Sequence, residues 1–212
     1  MNGSGKDAKV LNVRVPGVRA EDLACQRGDR LLFRKLSFDL GPGEGLHVTG
    51  ANGAGKTTLI RAVAQLSMPF AGAVASSMPV ALLDERTGLD PDLALGKALD
   101  FWFAIDGAAD RPAIVERLRL NDLLEVPVRY LSTGQRKRAA LARLLGQGQL
   151  VWLLDEPLSG LDTASQELVS ELVKEHLDGQ GVALIASHQP LDVPGLQTLA
   201  LEDYAPPLEA LE

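Results

Sequence analysis

The densest chemistry in the chain lies in the nine residues Gly50-Ala51-Asn52-Gly53-Ala54-Gly55-Lys56-Thr57-Thr58. They follow the run Gly45-Leu46-His47-Val48 and precede Leu59, Ile60, Ala62 and Val63 at helical spacing, which predicts strand, glycine loop, helix. Small residues at Gly53, Ala54 and Gly55 let consecutive backbone N–H groups, with that of Asn52, turn onto a polyphosphate. The helix behind them adds its positive end. Lys56 would neutralise the distal phosphates, and Thr57, with Thr58 beside it, would offer a hydroxyl to Mg2+. The alternative is a glycine-rich turn before an ordinary helix. A second candidate, Gly3-Ser4-Gly5-Lys6, has no strand before it and no Ser or Thr after the lysine, so it reads as a decoy.

Several elements must position this loop. Residues 1–17 read as an extension ending in the turn Pro16-Gly17, with the folded domain spanning 18–212. Short apolar runs between Val18 and Leu40, separated by Arg27-Gly28-Asp29, predict a hairpin or small antiparallel sheet. A helix is expected over about 55–66, then a break at Pro69 and Gly72, a strand over Val80–Leu83 and a loop at 84–88. Helical periodicity from 92 to about 122 suggests a helical subdomain, about 90–145, inserted in an α/β core. Ser132 with Gln135 three residues on forms a capping box for a helix over 136–145. The continuous apolar run 150–154 reads as a strand buried on both faces and ends in Asp155-Glu156-Pro157. Ser159-Gly160-Leu161-Asp162 then turns into an amphipathic helix, and Val182–Ala186 forms the next buried strand, followed by His188. The acidic tail from Glu202 reads as a loose edge. The expected fold is therefore α/β, with a mainly parallel sheet, an N-terminal antiparallel β subdomain and a helical insertion.

Composition narrows the function classes. With 212 residues the chain can bury one good core with a subdomain packed against it. A net charge of -7 argues against a broad phosphate-backbone-binding surface, so no nucleic-acid partner is expected. The lone Cys25 has no internal disulfide partner and reads as a small buried apolar residue. The first ten residues carry no apolar h-region, and no apolar run approaches the ~18 residues of a membrane span. The expectation is a cytoplasmic protein that reaches a membrane only through a partner, on the cytoplasmic face of the inner membrane.

GANGAGKTT, LSTGQ at 131–135, the apolar strand ending in Asp155-Glu156, SGLD at 159–162 and the strand before His188 arrive in one order. Together they resemble the ATP-binding cassette ATPases over nearly all of the chain beyond about residue 18. The resemblance implies a P-loop fold with ATP and Mg2+ as ligands. Asp155 would hold the metal through water, and Glu156 would accept a proton from, or orient, the attacking water. His188 would contact the γ-phosphate. The bland readings are an exposed strand-end carboxylate and an ordinary histidine. The family also implies that Ser132, Gly134, Gln135 and Asp162 meet the nucleotide of an opposite copy, two chains packing head to tail around two ATP molecules. A capping box without ligand is the alternative for LSTGQ.

Two features depart from the family pattern. The Gln that usually follows the strand at Val80–Leu83 is missing, and the loop reads Asp84-Glu85-Arg86, where Glu85 could still reach the metal. The aromatic that commonly stacks on adenine is missing too, and Arg27 is the candidate for its place. About 75 residues separate Lys56 from Ser132, too few for a long coiled-coil insertion. LFRKLSF, VWLLDEP and SHQPL resemble the ATP-binding subunits of cytochrome c biogenesis (haem) exporters, which implies an integral membrane permease as partner. Phe101, Trp102 and Phe103 are either subdomain core or the docking surface for that partner. A soluble regulatory or DNA-associated clamp, another importer or exporter subunit, and a binding module without hydrolysis remain open.

Overall fold

The protein is described by a computed structural model covering residues 17–108 and 110–206. The expected extension, apart from Gly17, and the decoy at 3–6 lie outside the described residues. Strands β1 (Val18–Arg27) and β2 (Arg30–Leu40) form the expected hairpin, with Val18 opposite Leu40 and Arg27 opposite Arg30. Strand β3 (Gly45–Thr49) leads into the glycine loop and helix α1 (Lys56–Val63). Helix α1 stops short of the expected 66 because the chain turns left-handed at Gln65, φ 58°.

Strand β4 (Ala71–Ser76), where Pro69 and Gly72 predict only a break, pairs antiparallel with the free edge of β1, giving the order β2-β1-β4. Its small residues carry little strand propensity; pairing with β1 makes it a strand. Then come β5 (Val80–Leu83), α2 (Leu95–Asp106), α3 (Arg111–Arg117), α4 (Thr133–Gly146), β6 (Val151–Asp155), α5 (Thr163–Asp178), β7 (Val182–Ala186) and β8 (Gln197–Ala200). The second sheet is wholly parallel in the order β5-β6-β7-β3-β8, so the strand feeding the glycine loop lies between β7 and β8.

The central strands explain why their sequences are apolar throughout. Val151 and Leu153 of β6, with Val182 and Leu184 of β7, face a core shared with α1 and the antiparallel sheet, including Phe33, Leu36, Leu59 and Ile60. Trp152 and Leu154, with Ala183 and Ile185, face the opposite core, where Leu95 and Leu99 of α2, Leu141 of α4 and Leu172 of α5 pack. Each fully buried aliphatic side chain contributes about 1.5–3 kcal/mol. Strand ends in such a sheet open at one edge, and in open parallel sheets that edge is where ligands bind.

Cys25 is buried in the first of these cores, and burial pushes its thiol up to about 11, so it is an inert thiol at neutral pH. Of the aromatic triplet, Phe103 is core and Trp102 is partly buried, while Phe101 is exposed.

Candidate functional site

The glycine loop hangs from the carboxyl end of β3. Gly55 adopts φ 114°, and a Cβ there would press on Leu32 and the Phe33 ring at about 3.1 Å, so the position needs glycine for both conformation and space. Lys56, only 6 % exposed, curls back over the loop and donates to the Gly50 carbonyl at 2.6 Å. The Ala54 N–H donates to the Ala51 carbonyl at 3.1 Å, which closes the turn.

The parallel register brings the ends of β6 and β7 beside this loop. Asp155, the last residue of β6, is 5 % exposed; burial raises its pKa, and a hydrogen bond with Thr57 opposes that rise. Its Oδ1 is buried without a hydrogen-bond partner. An orphaned carboxylate oxygen is costly, and here it stands beside the Thr57 hydroxyl, so the oxygen donors suit a hard cation such as Mg2+. No three His, Cys, Asp or Glu side chains form a metal cage among the described residues, so an ion held here would complete its shell with water and phosphate oxygens.

Glu156 follows with φ 47°, an uncommon conformation for a side-chain-bearing residue. Its N–H donates to the Ala186 carbonyl at 2.7 Å. Its Oε1 lies 3.6 Å from the Lys56 ammonium, and its Oε2 lies 2.7 Å from His188 Nδ1. The neutral imidazole would therefore carry its proton on Nδ1 and leave Nε2 as acceptor.

Two adjoining clefts surround these groups. One, of about 220 Å³, is lined by Arg27, Asn52, Gly53, Lys56, Glu85 and Glu156 among others. The other, of about 580 Å³, is lined by Arg27, Thr57, Thr58, Glu85 and Asp155 among others. Thus Arg27 and Glu85, the two residues chosen where the family pattern fails, stand at the same opening as the glycine loop.

Four expected residues stand elsewhere. Ser132 accepts from the Gln135 N–H at 3.3 Å, and the Gln135 side chain accepts from the Ser132 N–H at 2.8 Å, so the capping box is present. It opens α4 at Thr133, three residues before the expected start. Gly134 lies against the Gly160 carbonyl, and the Asp162 carboxylate caps α5 through the Ser165 N–H at 2.8 Å. None of these four lines the two clefts at the glycine loop.

Sequence reading missed the contributions of four residues. Lys137 on α4 reaches the Glu156 carbonyl at 3.0 Å, although only its basic neighbourhood was legible. Glu202 accepts from the Ala51 N–H at 2.5 Å, and a 3-10 turn, Leu201–Tyr204, holds it against the loop, which corrects the loose-edge reading for the start of the tail; residues 207–212 lie outside the described residues. That contact lowers the Glu202 pKa. Trp102 and Arg143 together hold the 84–88 loop, Trp102 Nε1 donating to the Gly88 carbonyl at 2.9 Å and Arg143 Nη1 to the Thr87 carbonyl at 3.0 Å.

Comparison with known proteins then fixes the family. The profile described as ABC transporter matches residues 33–159, from β2 through the glycine loop to the turn after Glu156. The chain belongs to the ABC transporter family. This ABC ATPase is 53% identical over 190 residues to the cytochrome c biogenesis ATP-binding export protein CcmA of Novosphingobium aromaticivorans, covering 90% of this chain and 98% of that protein. It is 46% identical to the protein of the same name from Zymomonas mobilis, covering 86% and 83%. Among solved structures, an ABC transporter ATP-binding protein from Pyrococcus furiosus superposes with TM-score 0.76 at 21% identity, covering 90% of this chain and 100% of that one. A dimeric ATP-binding cassette bound to ADP and Pi superposes with TM-score 0.72 at 19% identity, covering 81% and 88%. At these identities the superpositions speak for the fold. Among the described residues of this ATPase no helix is long and apolar enough to cross a membrane.

Proposed function

We propose that this ABC ATPase subunit binds Mg-ATP at the glycine loop, hydrolyses it with Glu156, and energises a membrane export complex in cytochrome c biogenesis. The observation that carries the reading is the convergence of Lys56, Glu156 and His188, from three elements, within 3.6 Å of one another pairwise through Glu156. In this reading the loop N–H groups and Lys56 receive the β- and γ-phosphates. Lys56 must then exchange the Gly50 carbonyl for phosphate oxygen, a trade of a neutral acceptor for a charged one that favours binding. Arg27, at the rim of the opening beside the glycine loop, would stack its guanidinium on the adenine.

Thr57 and Asp155, with Glu85 across the cleft, would hold Mg2+, whose positive charge would offset the negative charge of the phosphate oxygens. The Glu156 carboxylate, fixed by His188, takes or orients the proton of the attacking water, and His188 keeps Nε2 free to face the γ-phosphate side. Ser132, Gly134 and Gln135 stand at the positive N-terminal end of α4 and would complete the site of a second copy. An integral membrane permease then receives the closing motion, with the ATPase held on the cytoplasmic face of the inner membrane.

Mg-ATP turnover by the full chain, with and without Glu156→Gln, tests the reading. The substitution is expected to lower kcat by about 100-fold or more while ATP still binds, and to trap a dimer visible by light scattering. Wild-type turnover by Glu156→Gln would overturn the assignment of Glu156. A strictly monomeric species at saturating Mg-ATP would overturn the paired site. For the biological role, loss of the subunit is expected to abolish covalent haem attachment to c-type cytochromes, and unchanged holocytochrome levels would refute it.

A further inference from the structure

The main chain of Glu156 is held at three points. Its N–H reaches Ala186 at the end of β7, and its carbonyl accepts from the Ser159 N–H at 3.3 Å and from the Lys137 ammonium at 3.0 Å. The first two are backbone contacts that many sequences could supply. The third depends on one side chain, projected from the second turn of α4 into a cleft of about 450 Å³ lined also by Asp84, Glu85 and Glu156. Glu156 needs such support because φ 47° is sparsely populated for a residue with a Cβ, and such conformations persist only where surroundings over-determine them.

We propose that Lys137 is a positioning residue for hydrolysis: by fixing the peptide of Glu156 from α4, it makes the helix that begins at Ser132 set the aim of this chain's own carboxylate. The carboxylate end of Glu156 is already tied to His188 and Lys56, so the peptide end decides where those ties are made. The cation is also suited to its surroundings. Burial lowers the Lys137 pKa, and the charges of Asp155, Glu85, Glu156 and Asp84 oppose that fall. An uncharged side chain there would remove one of the two lysine cations near these carboxylates, leaving Lys56 beside Glu156 as the other. A shift of α4, whose first turn is proposed to meet a second copy's nucleotide, would thereby reach Glu156 through a single hydrogen bond.

The inference rests on the proposed role of Glu156, and the test keeps the two apart. In the full chain, Lys137→Met is expected to reduce kcat for Mg-ATP by roughly ten- to a hundred-fold, the usual cost of misplacing a reacting group by about 1 Å. KM and nucleotide affinity should stay within about two-fold, because Lys137 lines neither of the two clefts at the glycine loop. Lys137→Arg keeps a charged donor of similar reach and is expected to restore most of the lost kcat. Unchanged kcat in Lys137→Met, or an arginine variant no better than methionine, overturns the proposal. If Lys137→Met does not fold, Lys137→Arg and Lys137→Gln decide it. Arginine should then exceed glutamine in kcat at equal KM, and equality overturns the proposal. An active Glu156→Gln would instead sink the parent reading, whatever the lysine variants do.

Discussion

Changing Trp102 to phenylalanine measures how firmly the helices hold the loop that replaces the family's glutamine. The indole N–H donates to the Gly88 carbonyl at 2.9 Å, and the Arg143 guanidinium lies 3.7 Å from the ring centroid while donating to the Thr87 carbonyl. Two successive carbonyls of the 84–88 loop are thus tied to α2 and α4, and the same loop carries Asp84 and Glu85 to the cleft beside the glycine loop. Phenylalanine keeps a ring but deletes the donor, a loss of about 0.5–1.5 kcal/mol. It also weakens a cation–π contact worth about 0.5–1 kcal/mol at a partly exposed site. The sum is ~1–2 kcal/mol, which in a domain of this size lowers Tm by roughly 2–8 °C. Thermal unfolding followed by circular dichroism reads this directly. A double-mutant cycle with Arg143→Gln is expected to give a coupling of about 0.5–1 kcal/mol. A Tm within about 1 °C of wild type together with strict additivity would refute the clamp.

Two further outcomes follow from burial and backbone geometry. His176 stacks on Trp152 with centroids 3.8 Å apart and planes 11° from parallel, and burial lowers its pKa below 6.5 against the pull of the Val182 and Leu150 carbonyls. The unfolded chain then binds the proton first, so this contribution to stability is full above about pH 6.5 and is lost as pH falls toward the lower folded pKa. Urea midpoints of His176→Gln should decline less steeply than wild type between about pH 7 and 5.5, and equal slopes would refute this. Gly72 adopts φ 78°, with the Asp22 backbone where a Cβ would sit. Gly72→Ala should cost roughly 2–4 kcal/mol by combining left-handed strain with overlap. An unchanged urea midpoint would show that β4 shifts freely along β1.

The glycine loop and the buried strands were legible because local pattern and chemistry coincide there. Gly50 to Thr58 dictates its own conformation, and the apolar runs of β6 and β7 serve two cores at once. Strand β4 was not legible, because Ala71 to Ser76 is small and weakly patterned and becomes a strand only by completing the edge of β1. Trp102 illustrates the same limit at side-chain level: it reads as core or docking surface, yet its indole serves a loop fourteen residues back. Lys137 and Glu202 escaped for a related reason. Their partners lie 19 and 151 residues away, and no spacing rule connects a lysine after a signature motif, or a glutamate near the chain's end, to Glu156 and Ala51. Glu85 and Arg27, picked out because a family residue is missing at each place, both line the clefts beside the glycine loop, where the strand ends converge.

The pairing of β3 has a consequence for the order of synthesis. Its two neighbours, β7 and β8, and the glutamate that clasps Ala51 are all translated more than a hundred residues later. A ribosome releasing this polypeptide from its N-terminus exposes the glycine loop early and leaves β3 without either flanking strand until β7 and β8 have been made. Fragments that stop before Val182 would therefore carry the glycine loop on a strand with neither of its neighbours.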